Sequence, residues 1–314
     1  MPYIVSVIFN ILTSGLPCAL LAMGIFITYR LLDFADLTAE GSFLIGGSLA
    51  IALIKIGVNP FLATIVAVVG GAICGLITGL LHTRLNIPKL LSGIITMTMT
   101  ASLSLLILGF TKEDSAFTNN VALMRENDTI YSLFYFNADL YQPIIKASIM
   151  LVILLIVWFI IYFFFGTQYG MAIRATGMNE KMARSQGINT KRSIVVGVVI
   201  ANTLIALAGA LFCQDQRSCD IKVASGFLVV GLASILIGEA IFGRRSFKNW
   251  LISVCLGSIV YFVIITVAIE LGFPTELKNL LYAILITIAL CIPLFKEIYN
   301  NFKKKREVKH AWIS

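Results

Sequence analysis

The chain alternates between long apolar runs and short polar segments. A helix that crosses a bilayer needs about 20 consecutive apolar residues, and runs of about that length recur along the whole sequence. They predict about nine transmembrane helices, some of them short or broken, at 3–29, 38–54, 61–81, 90–110, 144–165, 193–213, 225–242, 249–270 and 279–295. The pattern therefore predicts an all-α polytopic membrane protein. It has a transmembrane domain over residues 1–296 and a basic tail over 297–314.

Composition supports this class, and the distribution of charge adds an orientation. Hydrophobic residues make up 59% of the chain and charged residues 13%, against about 45–50% and about 25% in soluble domains. Most lysines and arginines, 17 of 24, fall in alternate connecting segments: 30–37, 82–89, 166–192, 243–248 and the tail from 296. The positive-inside rule makes these segments cytoplasmic. We therefore expect a multi-pass plasma-membrane protein with its N-terminus outside and its C-terminus in the cytoplasm. The net charge of +8 then reflects topology and predicts no nucleic-acid partner.

Two connecting segments are longer than the rest. The outer one, 111–143, mixes polar and aromatic residues, which is typical of a partly ordered cap. The inner one, 166–192, contains start and stop signals for a short helix: Asn179 as N-cap, Glu180 in the first turn and Gly187 after the end. Such a helix is too short to span a membrane. It is either a solvated loop helix or a docking element for a cytoplasmic partner.

Three carboxylates lie between the first two spans, in "LLDFADLTAEGSF" (31–43). Asp36 or Thr38 can cap a helix that begins near Ala39, and Glu40 then lies in its first turn. Arg30 is a nearby candidate partner for Asp33. An alternative is that this segment belongs to a transport path, because broken helices of transporters end inside cavities. Both interpretations stay open.

Two further spans carry unusual polar residues. Glu239 lies near the end of the short span 225–242, where Arg244 or Arg245 could pair with it. The spans 38–54 and 225–242 each hold a carboxylate and several glycines, so they could be corresponding elements of two halves. Span 90–110 alternates hydroxyls with soft side chains: Thr96, Met97, Thr98, Met99, Thr100. The hydroxyls either bond to their own helix or line a path for a small solute.

Catalytic patterns find little support in the sequence. No glycine-rich segment is followed by the Lys-Ser/Thr pair of a phosphate-binding loop, and no nucleophile–base pair or metal-ligand spacing is present. We expect a transport subunit rather than an enzyme. A membrane enzyme built on Asp33 and Asp36 is the least favoured alternative. Among the six cysteines, Cys213 and Cys219 flank a predicted outer loop and could pair in an oxidising compartment.

Four segments together resemble a known family. They are "LLDFADLTAEGSFLIGG" (31–47), "RATGMNEKMARSQGINTKR" (174–192), "GVVIANTLIALAGAL" (197–211) and "GLASILIGEAIFGRRS" (231–246). In this order they resemble the permeases of ABC importers, in the branch for branched-chain amino acids, ribose and similar solutes. The likeness is greatest to the permease of tryptophan/tyrosine-type importers, which work with a lipoprotein receptor.

The resemblance implies a set of partners. A cytoplasmic coupling helix at about 178–186 would dock on an ATP-binding ABC subunit. The assembly would hold a second permease copy, as a homodimer, and an extracytoplasmic solute-binding lipoprotein. This chain would bind no cofactor, because ATP and Mg²⁺ would be held by the partner. The residues matching the coupling loop or flanking the partner are Gly177, Asn179, Glu180, Lys181, Met182, Ala183, Arg184 and Gly187.

The resemblance also implies a function: inward movement of a small solute by alternating access, driven by ATP. It favours an amino acid, aromatic or branched-chain, as the solute. An ion- or proton-coupled secondary transporter using intramembrane carboxylates is the alternative. The candidate residues of the path or gate are Asp33, Asp36, Thr38, Glu40, Ser42, Thr96, Met97, Thr98, Thr100 and Glu239.

Overall fold

The computed structural model describes residues 3–111, 119–124, 126–134 and 142–273, with the single positions 280, 283, 284 and 287. The predicted ninth span, 279–295, lies almost entirely outside these residues, and the tail 297–314 lies wholly outside them. The helices are α1 (Tyr3–Phe26), α2 (Thr38–Lys55), α3 (Pro60–Leu85), α4 (Lys89–Gly109), α5 (Gln142–Gly166), α6 (Gln168–Met178), α7 (Glu180–Ser185), α8 (Thr190–Gln216), α9 (Ile221–Ala224), α10 (Phe227–Phe242) and α11 (Phe247–Glu270). A π-helix (Ile27–Leu31) extends α1, a 3₁₀ turn covers Ser132–Phe134, and the strands are β1 (Asn120–Ala122) and β2 (Ser218–Asp220).

The predicted fold class is confirmed. Seven helices of the described residues are long and apolar enough to cross a membrane: α1 with its π-helical end, α2, α3, α4, α5, α8 and α11. The seventh predicted span, 225–242, corresponds to α10, which has 16 residues and is shorter than the other helices that match predicted spans. Its 16 residues extend about 24 Å, less than the hydrocarbon core of a bilayer.

Helix α2 lies in the interior of the bundle and packs mainly against α3, α4 and α8. Its sequence is rich in small residues, which let neighbouring backbones approach. Gly46 shows why: a Cβ added there would overlap the backbone of Ala206 in α8. Helices α3, α4, α5 and α11 form the outer layer and expose mainly Leu, Ile, Val and Phe side chains, as expected for surfaces that face lipid.

The bundle has two distinct ends. We call the end that holds 30–35, 84–89, 166–192 and 243–248 the basic end, because its lysines and arginines outnumber its acidic residues. At the opposite end, β1 pairs antiparallel with β2. Arg217 Nη2 donates to the carbonyls of Met124 (2.9 Å) and Asn127 (2.7 Å), and Gln214 Oε1 accepts from Ile130 N (3.2 Å). The described part of segment 111–143 is thus attached to the end of α8.

Helices α2 and α10 both begin inside the bundle. Asp36, just before α2, contacts Asn202, which lies twelve residues, or about 18 Å, along α8. Phe227 at the start of α10 contacts Phe212, one turn before the end of α8. The two helices run in opposite directions from these interior starts. Their first turns are therefore surrounded by protein, where helix ends need polar partners from other elements.

Candidate functional site

The α6–α7 segment at the basic end forms as its sequence signals predict. The Asn179 side chain accepts from Met182 N (3.0 Å) and caps α7, and Thr167 caps α6 in the same way through Gly170 N (3.4 Å). Gly187 has φ +82°, the left-handed conformation expected after a helix end. The predicted self-capped helix, with Glu180 in its first turn, is confirmed.

Helix α7 is tied to the start of α8 and presents a mixed surface outward. Glu180 Oε1 accepts from Arg184 Nη2 (2.9 Å) and from the hydroxyl of Thr190 in α8 (3.2 Å). Ala183 is buried beneath the helix. Lys181 is exposed, as are two apolar side chains, Met178 (88%) and Met182 (62%). A capped helix with an exposed methionine among charges, and a second one at the adjacent end of α6, is suited to fit a cleft in another protein.

The turn between the π-helix and α2 contains a buried carboxylate. Asp36 is 5% exposed, whereas Asp33, with φ +49°, is exposed at the basic end. Asp36 Oδ1 accepts from Thr38 N (2.9 Å) and Oδ2 accepts from Asn202 Nδ2 (2.8 Å). Burial raises the pKa of Asp36 above its ordinary value, and the hydrogen bonds from Thr38 and Asn202 oppose that rise. Asp36 is thus the capping residue of α2, one of the two that the sequence offered.

Two short series of hydrogen-bonded polar side chains extend from this turn into the helices. In the first, Ser42 Oγ donates to Asn202 Oδ1 (2.6 Å), so Asn202 joins Ser42 to Asp36. In the second, the hydroxyls of Thr38, Thr78 and Thr96 bond in series at 2.8 Å each. Thr38 therefore uses its hydroxyl to join α2 to α3 and α4. The prediction that it could cap its own helix is wrong.

Glu40 joins the two interior helix starts. From the first turn of α2, its Oε1 accepts from the backbone N–H of Gly226 (3.0 Å), immediately before α10. The negative carboxylate thereby lies at the positive end of the α10 dipole. Beside it, the ring of Phe227 stacks on Phe43 with centroids 4.2 Å apart, and Phe212 meets Phe227 edge-on at 5.1 Å. The two short spans are therefore in direct contact.

Glu239 near the end of α10 is the centre of an ionic cluster. Its Oε2 lies 2.7 Å from Arg244 Nη2, as the sequence predicted for Arg244, and 2.5 Å from Arg30 Nη2. Its Oε1 accepts from Trp250 Nε1 in α11 (2.7 Å). The expected pairing of Arg30 with Asp33 is wrong: Arg30 points toward α10, and the Asp33 carbonyl accepts from Lys89 Nζ (2.9 Å).

Two features of the structure are those expected of an importer permease. Helices α2 and α10 begin inside the bundle, and the capped helix α7 lies at the basic end. The family described as "Branched-chain amino acid transport system / permease component" matches residues 7–290. The chain belongs to this family. The permease is 34% identical to a tyrosine transport system permease protein of Clostridioides difficile over 89% of this chain and 88% of the relative.

More distant relatives fall in the same branch. The permease is 28% identical to a probable branched-chain amino acid transport permease of Methanocaldococcus jannaschii, over 74% of this chain and 72% of the relative. It is 21% identical to the ribose import permease of Escherichia coli, over 91% and 84% respectively. No solved structure matches the permease.

The hydroxyls of α4 divide between two faces of the helix. Thr96 and Thr100 are buried and face α2 and α3, and a Cβ added at Gly41 would meet the Thr100 side chain. Thr98 lies two residues from each of them, about 200° around the helix. It is exposed and donates to Ile95 O (2.9 Å). Met97 is half-buried between the two faces. The sequence grouped these residues together, whereas the permease separates Thr98 from the others.

Several residues of the site were missed from the sequence: Asn202, Thr78, Trp250 and Met178. An amide in the middle of an apolar span, such as Asn202, is a usable signal, because a polar side chain in lipid needs a partner. Its partners Asp36 and Ser42 lie 160 or more positions away along the chain. No local pattern joins such distant positions.

The cysteines and the acidic residues form no metal site within the described residues. Cys213 and Cys219 are both buried free thiols. Both sulfurs lie against Gly47 of α2, where an added Cβ would overlap Cys213 Sγ and lie 3.4 Å from Cys219 Sγ. The two thiols are neighbours at the opposite end of the bundle but are not bonded.

Proposed function

We propose that this permease is the membrane-spanning subunit of an ATP-driven importer. The observation that carries the proposal is α7, a self-capped helix at the basic end. Its exposed Lys181 and Met182, beside the exposed Met178 at the end of α6, are available to a partner, and its buried Ala183 and the bond from Thr190 to Glu180 hold it in place. Docked in a cleft of an ATP-binding subunit, such a helix transmits the motion of that subunit to the bundle. The partner binds ATP and Mg²⁺, and this chain contributes no nucleotide site.

Two copies of the permease enclose the path in this proposal. Thr98 and Ser102 place hydroxyls on the exposed face of α4, and both donate within their own helix. Lipid offers the oxygen atoms of these hydroxyls no hydrogen-bond donor, whereas a second copy or a hydrated path does. We propose a homodimer in which α4 lines the path, with a solute-binding lipoprotein delivering the solute at the opposite end.

The proposed solute is an amino acid, aromatic or branched-chain. It is supported by the names of the relatives, a tyrosine permease at 34% identity and a probable branched-chain amino acid permease at 28%. Inward movement requires the basic end to face the cytoplasm, in agreement with the positive-inside rule. A reporter enzyme fused after residue 314, active only in the cytoplasm, checks this orientation.

Co-purification and uptake together test the function. Met182→Glu places a negative charge on the proposed docking face, and Gln168→Glu is a matched control at an exposed position of α6. We expect Met182→Glu to lose the ATP-binding subunit and ATP-dependent amino-acid uptake, and Gln168→Glu to keep both. Retention of both by a folded Met182→Glu protein would contradict the docking role of α7.

The alternative, a secondary transporter, is distinguished by its energy source. The buried Asp36, held by an amide and a backbone N–H, is the carboxylate on which such a mechanism would depend. Uptake that stops when the proton or sodium gradient collapses, yet continues without ATP, would replace our proposal with this one. Uptake that follows ATP in sealed vesicles without a gradient supports the importer.

A further inference from the structure

The turn 31–37 lies between the α6–α7 segment and the interior start of α2. We propose that Gly177 in α6 and this turn form the mechanical link through which α7 moves α2 and α10. The inference rests on the proposed function and assigns a positioning role to residues that touch no ligand. It follows from four sets of contacts.

The first contact is between two backbones. A Cβ added at Gly177 would overlap the carbonyl oxygen of Leu31 and lie 2.7 Å from both Leu31 C and Leu32 Cα. Helix α6 therefore rests directly on the backbone of residues 31–32, with no side chain between. A backbone contact of this kind cannot be relieved by a change of rotamer, so movement of α6 has to displace the turn.

The second contact confines the Leu32 side chain. Leu32 is 3% exposed. A Cβ at Gly197 in α8 would lie 2.5 Å from Leu32 Cδ1 and 3.3 Å from Ile173 Cγ2 in α6. Leu32 is thus held between α6 and α8, the two helices that flank α7. Neighbouring helices therefore contact the turn at the Leu32 side chain as well as at its backbone.

The third feature is the π-helix itself. Leu32 N donates to Ile27 O (3.0 Å), and Phe34 N donates to Thr28 O (2.9 Å), so both bonds are wider than those of an α-helix. Single π turns are rare in proteins and are frequently found at functional sites. This π turn also carries Arg30, whose bond to Glu239 connects it to α10.

The fourth set of contacts carries the displacement into the core. Asp36 caps α2 through Thr38 N, and Asn202 holds Asp36 from α8. On the other side, a Cβ at Gly93 in α4 would lie 2.8 Å from Leu37 N. The turn therefore contacts α4, α6 and α8 within seven residues, and Arg30, immediately before it, contacts α10. A displacement of Gly177 would therefore move the start of α2 through Asp36. It would move α10 through the bond between Arg30 and Glu239, and through the bond between Glu40 of α2 and Gly226.

The test measures uptake and ATP hydrolysis on one preparation of the complete importer in proteoliposomes. Gly177→Ala adds a methyl group against Leu31, and Gly166→Ala is the matched control, because a Cβ at Gly166 has no neighbour within 4 Å. We expect Gly177→Ala to retain the ATP-binding subunit and to hydrolyse ATP within about twofold of the unmodified rate. Uptake per ATP should fall by about tenfold, within the usual range of coupling between sites. Gly166→Ala should change neither.

Two further variants make the result decisive. A Cβ at Gly197 meets side-chain atoms of Leu32 and Ile173 and no backbone, so we expect a smaller loss of uptake per ATP for Gly197→Ala than for Gly177→Ala. If Gly177→Ala does not accumulate, Leu32→Ala replaces it. This variant removes the confined side chain and adds no volume, and we expect it to uncouple as well. Unchanged uptake per ATP in the folded variants, with ATP-dependent uptake intact, would overturn the link alone. ATP-independent uptake by the unmodified importer would remove the proposed function and the link with it.

Discussion

Arg30 and Glu239 lie 209 positions apart in the chain, yet Arg30 Nη2 and Glu239 Oε2 are 2.5 Å apart in the fold. The pair joins the π turn of the first span to the end of α10. Glu239 is 7% exposed and holds Arg244 and Trp250 as well, so one carboxylate organises the contact of α1, α10 and α11.

Removing that carboxylate should destabilise the bundle. Glu239→Gln leaves two arginines without their anion, and we expect a loss of about 2–4 kcal/mol in the free energy of unfolding. Arg30→Gln combined with Glu239→Gln should lose less than the sum of the two single variants, because the pair is then absent on both sides. Unfolding in a detergent titration measures all three. An additive double variant would show that the two residues are energetically independent.

The hydrogen bonds of the Asn202 amide should contribute more to the stability of the bundle than the volume of its side chain. Asn202→Leu keeps the volume but removes the hydrogen bonds that Asp36 Oδ2 and Ser42 Oγ make with the amide, which costs about 1–3 kcal/mol for each buried polar atom left unsatisfied. Thr203→Val is the control, since the Thr203 hydroxyl bonds only the carbonyl of Val199 in its own helix. Thermal unfolding in detergent should therefore show a clear fall for Asn202→Leu and little change for Thr203→Val. Equal effects would refute the network.

The helix stop after α7 should depend on one backbone conformation. Gly187 and Gly166 both have open space around an added Cβ, but only Gly187 has a positive φ. Gly187→Ala should cost about 1–2 kcal/mol of local strain, whereas Gly166→Ala should cost nothing of this kind. We expect faster amide hydrogen exchange over 180–187 and less co-purified ATP-binding subunit for Gly187→Ala alone. Identical exchange in both variants would contradict this.

The neighbouring thiols of Cys213 and Cys219 should form a disulfide under a mild oxidant such as copper phenanthroline. Oxidation removes two hydrogens, and the seven-residue peptide 213–219 reports the loss by mass spectrometry. Cys74 and Cys255, which are also buried, serve as internal controls and should stay reduced. Preferential oxidation of either control would show that Cys213 and Cys219 are not the closest reactive pair.

The sequence carried the parts of the fold that depend on local chemistry. Apolar runs predicted the spans, including the short α10, because each span must bury its own backbone hydrogen bonds. The caps predicted the start of α7 and placed its end within one residue, because Asn179 and Gly187 act on backbone atoms within a few positions. The acidic segment was placed correctly before a helix for the same reason, and Asp36 does cap α2.

What the sequence left open depends on contacts between distant residues. The separation of Thr98 from Thr96 and Thr100 followed from which face of α4 meets α2. Arg30 pairs with Glu239 because α10 lies next to the π turn. No local sequence pattern predicts a partner 209 positions away.

The sequence by itself determined the class of protein, its spans and its capped helix, because hydrophobicity and capping act along the chain. Only the tertiary structure decided that α2 and α10 begin inside the bundle and meet through Glu40 and Gly226. It also brought Gly177 onto the backbone of the turn 31–37. Close packing of glycine surfaces sets these contacts, and their geometry exists only after the helices assemble.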